Sequence, residues 1–199
     1  MMKKLILLIA AAGVFLFSNV SAQEQATATT TTSSGLKIGI GADFALPTGD
    51  MNDLYKAGFG GTIQFQMPIV QQLDFVASAG FLSFKGDDKR PILIGDVFRE
   101  VPTLSVIPVK AGLRYFLLDY LYVGAEAGAA FNVSSDKRVR RPFDDDSSAS
   151  FIYTPHIGVD FPVADKGSID VSARYESWKA SDEPTNRFAA LRVAYNFGL

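Results

Sequence analysis

The chain has 199 residues, with 19 Lys and Arg against 21 Asp and Glu, and no cysteine. That balance excludes the basic footprint of a nucleic-acid binder, and the missing thiols exclude a disulfide framework. The length fits one domain, and beyond the N-terminus no run is long and apolar enough for a transmembrane helix.

Lys3 and Lys4 precede an uncharged apolar run from Leu5 to Phe17, and the small-residue site Val20-Ser21-Ala22 follows. This is the layout of a cleaved signal peptide over residues 1–22, pointing to export. Removing Lys3 and Lys4 lowers the cationic count from 19 to 17 against 21 acids, a net charge of −4. Residues 23–35 are Gln, Ala, Thr and Ser with Glu24, too polar to bury anything, and read as a flexible leader.

From Leu36 onward apolar residues recur at every second position, the period of strands with two unlike faces. Eight segments show it, over about 36–46, 59–69, 73–84, 104–117, 121–132, 151–162, 168–177 and 190–199. In the fifth, Leu121, Val123, Ala125, Ala127, Ala129 and Phe131 oppose Tyr122, Gly124, Glu126, Gly128 and Asn132. The third is less clean, because Val76, Leu82 and Phe84 fall on its polar face. Connections alternate: short ones lie near Val70-Gln71-Gln72, Leu118-Asp119-Tyr120 and Pro162 to Gly167, long charged ones over 47–58, 85–103, 133–150 and 178–187. Pro108 and Pro155, which cannot donate to a ladder, are expected at the long-loop rim with pairing broken beside each.

An alternating closed sheet can face its apolar side inward, as in a soluble barrel, or outward into lipid. The polar face decides between them. It carries Asp43, Lys110, Arg114, Glu126, Asp160, Asp170, Arg174, Glu176 and Arg192, mixed with glycines that leave room for long side chains. Charges of both signs suit a narrow interior where they can pair. On the apolar face, aromatics fall toward the strand ends: Phe44, Phe59, Phe81, Phe131, Phe151, Tyr153 and Tyr175 near the long loops, and Phe75, Tyr115, Phe161, Tyr195 and Phe197 near the short turns. Two such belts around an aliphatic band fit a bilayer with an interface on each side. The expected fold is therefore all-β, an eight-stranded antiparallel up-and-down transmembrane β-barrel over residues 36–199.

The signal peptide, the eight segments, the stretches Ala45-Leu46-Pro47-Thr48-Gly49-Asp50 and Ile107-Pro108-Val109-Lys110-Ala111-Gly112-Leu113-Arg114-Tyr115, and the alternating aromatic C-terminus resemble the family of small outer-membrane β-barrel domain proteins. The plan is similar to that of the transmembrane domain of outer-membrane protein A and of opacity-type surface proteins. The resemblance implies residence in the outer membrane of a Gram-negative envelope, contact with outer-membrane lipid and lipopolysaccharide, and handling by the barrel assembly machinery through the C-terminal strand. That strand departs from the family in ending on Leu199 rather than an aromatic residue, with Phe197 two positions before it. The resemblance is not expected to carry over a periplasmic peptidoglycan-binding role.

His156 is the only histidine, so a metal site of several imidazoles is impossible. A His-dependent lipid hydrolase would need a nucleophile in reach, and the nearest candidate, Ser172, belongs to the neighbouring segment. The carboxylate pairs Glu126 with Asp160 and Asp170 with Glu176 have Lys110, Arg114, Arg174 and Arg192 at hand, so structural pairing is favoured over acid–base chemistry. The Gly-x-Gly pieces at 39–41 and 58–60 open no helix and give no phosphate cradle. The third long loop places Lys137, Arg138, Arg140 and Arg141 before Asp144, Asp145 and Asp146. The basic run suits lipopolysaccharide phosphates and the acidic run divalent cations, while mutual offsetting is the simpler reading. The second long loop follows Asp87, Asp88, Lys89 and Arg90 with the apolar Ile92-Leu93-Ile94. The expected function is a non-enzymatic integral outer-membrane barrel with a structural or surface-interaction role through four long loops, without cofactor or metal. The alternatives are a small transport pore and a lipid-modifying enzyme resting on His156.

Overall fold

The computed structural model describes residues 35–87, 92–94, 97–99, 101–133, 149–179 and 185–199. The expected signal peptide over residues 1–22, all of the expected leader but Gly35, and the loop residues Lys137, Arg138, Arg140, Arg141, Asp144, Asp145 and Asp146 lie outside these residues.

Eight long strands form one closed sheet: β1 (Lys37–Thr48), β2 (Tyr55–Val70), β3 (Leu73–Gly86), β6 (Leu104–Phe116), β7 (Leu121–Asn132), β8 (Ser150–Ala164), β9 (Gly167–Lys179) and β10 (Asn186–Gly198). Their order around the wall is β1-β10-β9-β8-β7-β6-β3-β2, and each pairing is antiparallel. Closure comes from β1 against β10, running from Lys37 opposite Gly198 to Thr48 opposite Arg187. A closed ladder satisfies the backbone without leaving an edge, which is what a strand wall in lipid demands. Among the described residues no helix is long and apolar enough to cross a membrane.

The alternation seen in the sequence becomes the two faces of the wall. Along β8, Ile152, Thr154, His156, Gly158 and Asp160 are buried while Phe151, Tyr153, Pro155, Ile157 and Phe161 are exposed. The outer face is aliphatic in its middle, with Ile40, Ile63, Leu113 and Val193 all exposed. Aromatic contacts gather toward its ends. Phe44 lies beside Phe59 toward the long loops at 5.1 Å, and at the turn end Tyr120 stacks on Phe161 at 5.7 Å and Tyr195 meets Phe197 at 4.6 Å.

Several boundaries differ from the sequence reading. The first long loop shrinks from 47–58 to six residues, because β1 continues to Thr48 and β2 starts at Tyr55. Its turn uses Gly49 at φ +60° and a short helix α1 (Met51–Leu54). A register shift between Tyr55 and Gly58 interrupts the alternation there, so the periodic signal starts late. The second long loop contains two three-residue strands, β4 (Ile92–Ile94) and β5 (Val97–Arg99), paired with each other.

Both prolines have lapsed pairing on one side and continuous pairing on the other. Pro108 sits opposite Ala130 on β7, while between β3 and β6 pairing is skipped from Ala79–Val109 to Leu82–Val106 with the register unchanged. Pro155 sits opposite Ala125 on β7, and between β8 and β9 pairing is skipped from Tyr153–Ser177 to His156–Arg174 with the register unchanged. The missing N–H explains each lapse. The rim placement holds only for Pro108. Ala125 stands only a few residues above the turn that opens β7, so Pro155 lies nearer mid-wall, where the lapse spares it a ladder bond.

Candidate functional site

The barrel interior is where the chain concentrates its charge. Alternation sends Asp43, Lys110, Arg114, Glu126, Asp160, Asp170, Arg174, Glu176 and Arg192 inward from six strands, and each is buried. An unpaired charge there costs several kcal/mol, so the arrangement of partners decides whether such an interior is tolerable.

The partners form tiers. Nearest the turns, Lys37 Nζ donates to Asp160 Oδ2 at 3.1 Å, and Asn196 Nδ2 donates to Asp160 Oδ1 at 3.3 Å. Above them Arg114 donates to Asp170 Oδ2 at 3.0 Å and Gln66 Oε1 at 3.2 Å, with its guanidinium 3.9 Å from the centre of the Tyr122 ring. The Tyr122 hydroxyl donates to the same Asp170 oxygen at 2.7 Å, and the Gln66 amide donates to Asp74. At mid-height Arg174 donates to Glu126 Oε1 at 2.7 Å, and Ser78 donates to Glu126 Oε2 at 2.6 Å. Lys110 bridges Glu176 at 2.8 Å and Thr154 at 3.2 Å. Arg192 donates to Asp43 at 2.7 Å and Thr62 at 2.8 Å, and Thr62 donates to Asp43 at 2.6 Å.

Each of these bonds joins different strands, so the tiers brace the wall across the lumen. Arg174 reaches Glu126 on β7 from β9, and Lys110 on β6 reaches Glu176 on β9. Inward glycines make the space: a Cβ on Gly124 would lie 2.4 Å from His156 Nε2, and one on Gly158 would lie 2.4 Å from the Tyr122 hydroxyl.

Toward the long loops the interior changes character. Ala45, Leu82, Phe84, Leu104, Val106, Ala130, Ile152, Trp178, Phe188 and Ala190 form one buried apolar cluster, which Met51 of α1 joins. Phe84 and Trp178 each pack on Phe188, at ring distances of 5.1 and 5.5 Å. Sequence reasoning placed Trp178 in a loop and left Leu82 and Phe84 as noise. The inward parity, carried from Glu176 to Trp178 and from Ala190 to Phe188, was the signal that locates them.

His156 is buried among Thr154, Glu126 and Tyr122. Its Nδ1 lies 3.2 Å from the Thr154 carbonyl oxygen, which can only accept, and 4.0 Å from Glu126 Oε1. The Tyr122 ring meets it edge-on at 5.9 Å. Of the two carboxylate pairs weighed for acid–base chemistry, Glu126 and Asp160 are drawn to different cations, and so are Asp170 and Glu176. Among the described residues no group of His, Cys, Asp and Glu is placed to hold a metal.

The family model for the outer membrane protein β-barrel domain matches residues 9–197. Among solved structures the chain is similar to Neisserial surface protein A, at 15% identity and a TM-score of 0.58 over 83% of this chain and 98% of that one. It is also similar to Ail, the attachment invasion locus protein of Yersinia pestis, at 17% identity and a TM-score of 0.49 over 83% and 99%. A further likeness is to the outer membrane protein OprG of Pseudomonas aeruginosa, at 12% identity and a TM-score of 0.45 over 83% and 94%. No curated protein matches the chain. The family match spans nearly the whole chain and agrees with the closed eight-stranded wall, its apolar outer face and its charged interior. The chain is an integral outer-membrane protein and belongs to the outer membrane protein β-barrel domain family.

Proposed function

We propose that this barrel is a non-enzymatic scaffold: it anchors loops at the cell surface for structural or surface contacts and does not conduct solutes through its lumen. The filled interior carries the reading. Eight strands enclose a space just wide enough for side chains, and here that space is crossed by paired charges and covered at the loop end by an apolar cluster. A pore would need a polar path along the axis, which the Phe84, Trp178 and Phe188 cluster interrupts. A lipid-modifying enzyme would need its base accessible to substrate, whereas His156 is buried beneath the wall. The loops, including the runs Lys137 to Arg141 and Asp144 to Asp146, are then the parts available to partners.

Purified full-length protein in planar bilayers tests this. The expected result is a baseline without steady single-channel steps in symmetric salt. Stable open steps from heat-modifiable, folded protein would overturn the scaffold reading in favour of the pore.

A further inference from the structure

The outward face of the wall is not uniform around the barrel. Two successive rows across β2, β3, β6, β7 and β8 share one profile, large at both ends and small between. One row runs Ile63, Ala79, Val109, Ala129 and Phe151, and the next runs Phe65, Ala77, Ala111, Ala127 and Tyr153. Ala125, exposed on β7, extends the small floor. Ile63 and Phe151 are 62% and 65% exposed, so the flanks stand clear of the wall while the floor lies close to the backbone. No charged residue stands among these positions. Across the barrel the profile is reversed: β10, four strands from β6 in the wall, carries the exposed Leu191 and Val193 between its neighbours.

We propose that the β2-β3-β6-β7-β8 face is the contact between two copies of this chain, related by a two-fold axis along the bilayer normal. Two convex walls meet first along one line and diverge on either side, so walls of even side-chain size touch over a narrow strip only. Here the profile matches the gap. Alanines on the line let the backbones approach, as small residues do between packed transmembrane helices, and Ile63, Phe65, Phe151 and Tyr153 fill the widening space on both sides. Copies in one membrane share an orientation, so the axis sets β6 against β6 and β3 against β7. Strands in such walls tilt by about 35–45°, which shifts a row in height by about one residue pair between β3 and β7. The ring that ends one alanine run, Phe81 or Phe131, then meets an alanine of the other copy. Five strands about 4.8 Å apart and an apolar band about 25 Å tall give about 500 Å² on each copy. The total of about 1,000 Å² reaches what a specific interface needs. The inference depends on which side of the wall meets lipid and not on the filled lumen, so it and the scaffold reading fail separately.

The test uses the full chain in phospholipid vesicles. The chain has no cysteine, so Asp119→Cys in the β6–β7 turn accepts a donor or an acceptor dye at one place. Energy transfer is followed as the protein is diluted with lipid, for this protein, for Ala111→Phe with Ala127→Phe, and for Ala42→Phe on β1 as control. Heat-modifiable gel mobility confirms that each variant is folded. The expected result is transfer above the level of randomly mixed monomers, linear in acceptor fraction as a pair requires, and lost on dilution. Filling the floor is expected to raise the dissociation constant roughly tenfold or more, with the control unchanged. Transfer at the random level at every dilution, or undiminished association of the folded double variant, would overturn the proposal. Equal weakening by Ala42→Phe would overturn the choice of face, and a curved dependence on acceptor fraction the two-fold pairing.

Discussion

Arg174 shows at a single residue why the interior tolerates so much charge. Its Nη2 meets Glu126 at 2.7 Å, its Nε lies 3.7 Å from Glu176, and all three side chains are withdrawn from solvent. Exposed pairs such as Lys56 with Asp87 contribute about 0–1 kcal/mol, whereas removing one partner of a buried pair costs about 3–5 kcal/mol, because the other charge is stranded. Arg174→Ala is therefore expected to lower unfolding free energy by about 3–5 kcal/mol in urea titrations in phospholipid vesicles. Replacing both partners, as Glu126→Gln with Arg174→Met, is expected to recover most of that loss. A single variant within about 1 kcal/mol of wild type would show that the tiers do not brace the wall. The charged inner residues were legible in the sequence because alternation assigns each to one face. Which cation meets which acid was not, since pairs such as Asp43 with Arg192 depend on wall closure and stagger.

At the scale of strands, alternation located all eight long ones but misjudged their ends where something local interrupts the period. The register shift at Tyr55 to Gly58 hid the start of β2, and the apolar inner residues Leu82, Phe84 and Trp178 made β3 and β9 seem to fade before they do. The three-residue strands β4 and β5 are too short to display a period at all. Proline was read correctly as a break and misplaced in height at Pro155, because a sequence does not show how far β8 rises past β7. The lapses have a dynamic consequence. In an antiparallel ladder each amide faces one neighbour, so one amide of the pair Gly80 and Phe81, and one of Tyr175 and Glu176, lacks its partner across the break. Amide exchange followed by NMR in nanodiscs is expected to be on the order of tenfold faster at these two amides than at Ala77 and Ala173. Uniform protection along β3 and β9 would mean that the ladder is continuous past both prolines.

For the whole molecule, inside and outside are exchanged relative to a water-soluble barrel. The charge lies within, the exposed aliphatic band without, and the apolar interior cluster is confined to the loop end. In water that outer band would drive aggregation; in a bilayer it is the stabilising surface. The family resemblance and the alternation supplied this orientation, but the division of the lumen into charged tiers and an apolar cap required the closed wall. The central claim is the assignment of faces, and paramagnetic relaxation from lipids spin-labelled on their acyl chains tests it most directly. In nanodiscs the side-chain signals of Ile40, Ile63, Leu113 and Val193 are expected to broaden strongly, while those of Ile152 and Thr154 stay sharp. Sharp signals from the first group together with broadened signals from the second would contradict it.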